Sequence, residues 1–220
     1  MSSRIGDIVG SEAAAMGLVL SGSQIAAFET YAAELIKWNA KVNLTAITKD
    51  AEIAIKHFVD SLALVPLLEG ADRLLDIGSG AGLPVLPLKI VRPEVAMTSV
   101  DAVAKKIHFQ RHVIRLLNLP QIEAIHSRIE ALHATHQKAF TVITSRAFTR
   151  LDRFAQLAAP LLADDGRLVA MKGGGTDDEI SGSDCSLTEL GFEISSVQRY
   201  SLPHNMGERI LTVLKRCKAA

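Results

Sequence analysis

Three glycines and three acids carry most of the chemistry open to this sequence. Gly78, Gly80 and Gly82 alternate in the run Leu74-Leu75-Asp76-Ile77-Gly78-Ser79-Gly80-Ala81-Gly82, and Asp76 stands two residues before the first of them. Glycines here, between an apolar run and a helical stretch, permit a tight turn and let a ligand lie against the backbone. The spacing excludes two phosphate binders. A dinucleotide fingerprint needs Gly-x-Gly-x-x-Gly, but Leu83 occupies the last position. A P-loop ends in Gly-Lys-Ser/Thr, which is absent.

An acid beside the loop repels a pyrophosphate and suits a cationic ligand without phosphates. S-adenosylmethionine, with its sulfonium, ammonium, carboxylate and adenosine, is such a ligand. The helix N-terminus can take its carboxylate. Backbone carbonyls, with Asp76 shaping the loop, can take its ammonium. Asp101 lies 19 residues after Gly82, at the end of the next apolar run, where a carboxylate can accept both ribose hydroxyls. After a third run comes Ser127-Arg128-Ile129-Glu130. An adenine can lie there against Ile129, with its amino group near Glu130. The competing reading is a bare turn that needs glycines, and two acids at the following strand ends weigh against it.

Alternating elements must hold these residues. Short apolar runs at Arg73–Ile77, Ala96–Val100, Ile122–His126, Phe140–Ser145 and Arg167–Lys172 predict strands separated by helices. That alternation implies an α/β fold with a parallel sheet covered on both faces. Phe192–Ser201 and Arg209–Arg216 read as a final antiparallel pair joined by the loop Leu202–Glu208. The first third reads helical. Ser23 is expected to cap a helix to about Asn39, and Asp50 one to about Val65, with Asn39–Thr48 as connector. Gly173–Gly175 and the polar stretch 176–184 read as a mobile loop. The expected organisation is a helical extension over residues 1–70 and one domain over 71–220.

The chain has 220 residues, 24 Lys+Arg against 24 Asp+Glu, and 48% hydrophobic residues, which excludes disorder throughout. Cys185 and Cys217 lack the spacing of a disulfide framework or a zinc site, so no metal is expected. A reduced, cytoplasmic setting fits, with no signal peptide and no membrane span. The zero net charge hides an uneven layout. Lys105, Lys106, Arg111 and Arg115 share one stretch with no acid, and the chain after Arg199 is also basic. These residues, with Lys172 and Arg209, are candidate RNA contacts, and Lys215 and Arg216 would extend that surface. Solvated helix faces and strand ends are the alternative.

The chain resembles the small-subunit (16S) ribosomal RNA methyltransferase G family, also called glucose-inhibited division protein B. The likeness rests on Trp38-Asn39-Ala40-Lys41-Val42-Asn43-Leu44-Thr45-Ala46-Ile47, on Lys56-His57-Phe58-Val59-Asp60-Ser61-Leu62, on the glycine loop with Leu83-Pro84 and Pro87-Leu88, on Ser127-Arg128-Ile129-Glu130, on Ser145-Arg146-Ala147-Phe148 and on Lys172-Gly173. The glycine loop alone would say only class I S-adenosylmethionine-dependent methyltransferase, a Rossmann-like fold with a mainly parallel seven-strand sheet. The resemblance implies 7-methylguanosine formation at guanosine 527 in the 530 loop of 16S rRNA. It implies cofactor contacts at Gly78, Leu83, Ile129, Glu130 and Arg146. The family commonly has Pro at position 81 and Gly at 85, where this chain has Ala81 and Val85. A changed loop stiffness with a retained site is expected.

The chemistry agrees. Guanine N7 is a neutral nitrogen with an in-plane lone pair, and no proton leaves in the attacking step, so no general base is required. The enzyme aligns groups and excludes water. The sequence after the fourth strand, Ser145-Arg146-Ala147-Phe148, is not the Asn/Asp-Pro-Pro-aromatic set used for exocyclic amines. Arg146 either reaches the cofactor's carboxylate, or guanine O6 and a phosphate, or pairs an acid across the sheet. Phe148 either stacks on an extruded base or is core. His57 and Asp60, at i and i+3, are either an acid–base pair or the fixings of the N-terminal helices. Trp38 is either core or a stacking platform. The expected partner is 16S rRNA or the small subunit, bound by a monomer. The alternatives are a methyltransferase acting on another RNA, a small molecule or a protein, and a non-enzymatic ribosome-binding factor. A nicotinamide-dependent oxidoreductase is disfavoured by the glycine spacing.

Overall fold

The computed structural model describes residues 4–146, 150–176, 180 and 182–217. Helix α1 (Arg4–Ala15) leads into α2 (Gly22–Val42). The α2 cap is Ser21, not Ser23. Its side chain accepts from Gln24 N–H and the Gln24 side chain accepts from Ser21 N–H, closing a capping box that the residue three positions after Ser23 cannot form. The helix runs past Asn39 to Val42 and ends on Asn43 in the left-handed conformation, so the connector begins there. Asp50 is not a cap either. It is the first residue of α3 (Asp50–Ile53), and Lys49 precedes it without a capping bond. Helix α3 runs into a π-helical turn (Ala54–Val59) and then α4 (Asp60–Leu62). Pro66 lies in a short 3₁₀ turn at Val65–Leu68.

The remainder alternates strand and helix. The elements are β1 (Arg73–Ile77), α5 (Val85–Val91), β2 (Ala96–Asp101), α6 (Ala104–Leu116), β3 (Ile122–His126), β4 (Phe140–Arg146), α7 (Leu151–Ala158), β5 (Leu162–Gly173), α8 (Asp184–Glu189), β6 (Phe192–Ser201) and β7 (Glu208–Arg216). They form one seven-stranded sheet in the order β3-β2-β1-β4-β5-β7-β6. The first five strands are parallel, and β7 runs antiparallel between β5 and β6. Strand β5 starts five residues before the expected position. Its pairing with β4 jumps from Phe140↔Leu162 to Val142↔Arg167, and the intervening Asp164-Asp165-Gly166 breaks the apolar run.

Successive strand residues face opposite layers. Leu74, Val142, Val169 and Met171 pack with α1, α2, the π turn and α5 in one core. Leu75, Ile143, Leu168 and Ala170 pack with α7 and α8 on the other side. The N-terminal helices thus share a hydrophobic core with the sheet. Among the described residues no helix is long and apolar enough to cross a membrane.

The strand order reverses between β1 and β4. Ligands of open α/β sheets settle outside the carboxyl ends of the strands at such a switch point. Ile77, Asp101 and Arg146 end β1, β2 and β4 there.

Candidate functional site

The glycine loop closes β1 against α5. Gly78 N–H donates to Val100 O at 2.8 Å, and Gly82 N–H to Ser79 O at 2.8 Å. Gly82 has φ +89°, and a Cβ there would lie 2.5 Å from Leu86 Cδ1, so a larger residue would be strained and would press on the buried Leu86 side chain. The Leu83–Pro84 peptide is cis. Ala81 and Val85 are buried within this turn.

Three side chains from other elements clamp the loop. Tyr31 Oη, on α2, donates to Ala81 O at 2.6 Å. Gln110 Nε2, on α6, donates to Ser79 Oγ and Gly80 O, both at 2.8 Å, while its Oε1 accepts from Ser99 Oγ. Asp101 Oδ2 accepts from Gly80 N–H at 2.9 Å and Oδ1 from Val103 N–H at 2.8 Å. Sequence reading missed Tyr31 and Gln110. The signal for Gln110 was a polar residue on the buried face of α6, three positions after Ile107 and three before Val113.

Two cavities meet at Gly78 and Arg146. The larger, an open cleft of about 590 Å³, is lined by Ile77, Asp101, Ile129 and Glu130 among others. Lys106 Nζ lies over it, 3.7 Å from Asp101 Oδ2. Arg153, which the sequence did not single out, lies 3.9 Å from Glu130. The smaller cavity, about 160 Å³, is lined by Leu44, Thr45, His57, Leu83 and the glycine loop. The structure therefore brings together Gly78, Gly80, Leu83, Asp101, Ile129, Glu130 and Arg146. Asp76 is fully buried, lines neither cavity, and has no hydrogen-bond partner on either oxygen among the described residues. Burial pushes its carboxyl well above the usual range. The Val85 N–H and the Arg146 guanidinium oppose this without closing a hydrogen bond on it. Asp76 is thus placed beneath the loop in the sheet, out of reach of a ligand in either cavity.

His57 and Asp60 do not pair with each other. Arg146 Nη2 lies 3.1 Å from His57 Nδ1, and Thr45 Oγ1 lies 2.9 Å from His57 Nε2. Burial and the Arg146 charge push His57 down to about 4, so it is neutral at ordinary pH. Asp60, 2% exposed, accepts from Tyr200 Oη at 2.8 Å and from Arg209 Nε at 3.2 Å, and Arg146 Nη1 is 3.8 Å away. The acid–base reading gives way to the fixing role: these residues tie the π turn to β4, β6 and β7. The π turn also widens the helix where His57 faces the site. Trp38 packs on Phe109 at 5.6 Å and His112 at 5.2 Å, as partly buried core.

The expected basic surface divides. Lys105, Arg111 and Arg115 are exposed on α6, although Arg111 Nε donates to Ala124 O. Helix α6 joins β2 to β3, whereas Arg199 and Arg209 lie on β6 and β7 at the opposite edge of the sheet, so they do not extend one surface. Arg209 is committed to Asp60. Lys215 and Arg216 sit at the far strand end, level with Arg167, and Arg216 donates to Ala159 O and Leu162 O. Lys172 is half-buried near the end of β5. Phe148 and part of the expected loop at 176–184 lie outside the described residues.

The residues present suit a nucleoside that carries an amino-acid tail. Each Asp101 oxygen takes one backbone donor and keeps a lone pair for a ribose hydroxyl. Arg146 lines both cavities and brings a positive charge to their junction, while its buried Nη1 lies 3.8 Å from Asp60 Oδ2 without a hydrogen-bond partner among the described residues.

Comparison with known proteins agrees with this geometry. Among solved structures, the chain is similar to ribosomal protein L11 methylase from Lactobacillus delbrueckii subsp. bulgaricus, with TM-score 0.56, 14% identity and coverage of 74% of this chain and 79% of that one. It is also similar to a 16S rRNA (adenine(1408)-N(1))-methyltransferase from Catenulisporales acidiphilia solved with its cosubstrate SAM, with TM-score 0.54, 15% identity and coverage of 68% and 86%. At these identities the likeness concerns the fold, that of class I methyltransferases. In sequence, the chain is 49% identical over 201 residues to ribosomal RNA small subunit methyltransferase G of Geotalea uraniireducens, covering 91% of this chain and 92% of the relative. It is 47% identical over 217 residues to the protein of that name from Geobacter sulfurreducens, covering 99% and 100%. With the model of rRNA small subunit methyltransferase G (GidB) matching residues 24–207 as well, the chain belongs to that family.

Proposed function

We propose that this chain methylates guanine N7 in 16S rRNA, at guanosine 527 of the 530 loop, using S-adenosylmethionine. The observation that carries the reading is the junction of the two cavities at Gly78 and Arg146. A nucleoside fits the larger one between Asp101 and Ile129–Glu130, and a short charged tail fits the smaller one against the glycine loop.

When bound, the cofactor supplies an activated methyl group on sulfonium, so the bond-making chemistry is its own. The chain's residues bind, orient and exclude water. Asp101 holds the ribose end while keeping Gly80 in place. Ile129 and Glu130 take the adenine. Arg146 positions charge beside the reacting groups, and its guanidinium is fixed by His57. N7 attacks with a lone pair already in the ring plane. No proton has to be removed, and His57, neutral and already engaged on both nitrogens, is not needed as a base.

Residues 71–220 form the methyltransferase unit, and residues 1–70 form a helical extension that closes the tail cavity with Leu44, Thr45 and His57. The substrate is the small ribosomal subunit or its rRNA, met in the cytoplasm by a monomer. Lys106 lines the cleft, and Lys105, Arg111 and Arg115, exposed along the same helix, would continue from it as phosphate contacts.

The test is label transfer. Small subunits lacking the modification are incubated with the protein and methyl-tritiated cofactor. Tritium recovered as 7-methylguanosine supports the reading. Label in another nucleoside, in protein, or absent from the subunit rejects it.

A further inference from the structure

The connector after α2 is not a passive linker. Asn39 clamps it: Oδ1 accepts from Leu44 N–H at 2.6 Å and Thr45 N–H at 2.9 Å, and Nδ2 donates to Thr45 O at 2.9 Å. The Thr45 side chain is thereby presented to the 160 Å³ cavity, beside Arg146 and opposite the glycine loop.

The direction of each hydrogen bond around Thr45 follows from Arg146. A guanidinium only donates, so His57 Nδ1 must accept at 3.1 Å. The neutral imidazole then carries its proton on Nε2 and donates it to Thr45 Oγ1 at 2.9 Å. Lys56 O, 3.3 Å from Nδ1, finds no proton there. Thr45 Oγ1 also accepts from Ile47 N–H at 3.1 Å. Both oxygen lone pairs are used, so the hydroxyl proton must be donated elsewhere. No acceptor for it is paired with Thr45 among the described residues. The cavity therefore holds one unused donor, Thr45 Oγ–H, beside the positive charge of the Arg146 guanidinium. That pair matches an anionic acceptor rather than a neutral base edge.

We propose that Thr45 is a cofactor ligand. Its hydroxyl donates to the carboxylate of the methionyl tail alongside Arg146, and His57 is the positioning residue that sets the hydroxyl's direction. The inference rests on the proposed methyl donor. It gives the N-terminal extension a direct part in cofactor binding, which the methyltransferase sheet alone does not supply.

The experiment is calorimetric titration with two ligands, S-adenosylhomocysteine and 5′-methylthioadenosine, the second lacking the amino-acid tail. Thr45→Val keeps the shape and removes the donor. It should weaken S-adenosylhomocysteine about tenfold, the scale of one hydrogen bond to a charged group. It should leave 5′-methylthioadenosine unchanged, and Thr45→Ser should restore tight binding. His57→Gln, which can still accept from Arg146 and donate to Thr45, should retain most of the affinity, whereas His57→Leu should behave like Thr45→Val. Equal weakening of both ligands would mean a general role in loop structure and overturn the inference. No weakening of either, with a raised KM for RNA, would assign the hydroxyl to the base and also overturn it. If the unsubstituted protein binds neither ligand, the proposed cofactor itself fails.

Discussion

The hydroxyl of Tyr31 donates a 2.6 Å hydrogen bond to the carbonyl of Ala81. A helix outside the sheet therefore holds the turn on which cofactor binding depends. Tyr31 is fully buried against Phe58 and Phe109, so the ring is fixed before the hydroxyl reaches the loop. Tyr31→Phe keeps the ring and leaves Ala81 O buried without its partner. The expected result is a loss of about 1–3 kcal/mol of stability in urea unfolding. Cofactor affinity should fall several-fold in the same protein, because the loop loses its outer clamp.

Asp101 makes the opposite prediction about proportion. Its carboxylate holds Gly80 and Val103 and faces the nucleoside cleft. Asp101→Ala removes loop support and ribose acceptor together. Affinity for S-adenosylhomocysteine should drop at least tenfold, about 1.4 kcal/mol or more. Asp101→Asn, which keeps one acceptor oxygen, should lie between the two.

Much of this was legible in the sequence, for physical reasons. β1, a buried parallel strand, is apolar on both faces, and the edge strands β3 and β6 are set off by Pro120 and Gly191, so all three lie at the expected residues. Asp101 and Glu130 are readable because a strand end is a fixed place relative to the glycine loop. Side-chain ties between distant segments are not readable this way. Tyr200 and Asp60 are 140 residues apart, and nothing local in either segment marks the pair. The basic residues misled for the same reason: one-dimensional charge blocks placed Arg199, Arg209 and Arg216 on the α6 surface, but strand order puts them across the sheet. The π turn leaves no trace in apolar spacing, so His57 could be placed on a helix but not aimed.

Arg209 separates a structural arginine from an RNA contact. It pairs with Asp60, which is nearly inaccessible. Arg209→Ala should cost about 1–3 kcal/mol by weakening the support of a buried carboxylate. The salt dependence of RNA binding should stay as in the unsubstituted protein, whereas Lys105→Ala combined with Arg115→Ala should flatten it.

Asp76 should carry a pH-dependent cost to stability. Its carboxyl is buried without a hydrogen-bond partner, and burial raises its pKa. A raised acid binds its proton more tightly folded than unfolded, so its contribution falls as pH rises above the ordinary aspartate range near 3.8. Asp76→Asn removes that penalty. The cofactor-free variant should be more stable at neutral pH by about 1 kcal/mol, and the gain should shrink in acid.

His57 has the complementary pH dependence. Its folded pKa is about 4, below the ordinary value of 6.5. Between these values the unfolded chain binds the extra proton. The stabilising contribution is therefore complete above about pH 6.5 and is lost as pH falls towards 4. The span corresponds to roughly 3 kcal/mol. His57→Gln should flatten the slope of unfolding free energy against pH in that window, measured by urea titrations.

Mapping the modified nucleotide tests the central claim most directly. Small subunits purified from cells that lack the modification are incubated with the protein and S-adenosylmethionine, and the 16S rRNA is digested and mapped by mass. The account predicts one added methyl, on guanosine 527, in a nucleotide that shows the alkali-sensitive ring of 7-methylguanosine. An Arg146→Ala protein should leave that fragment unmodified. A methyl at another position or on another atom, or an unmodified fragment with the unsubstituted protein, would contradict it.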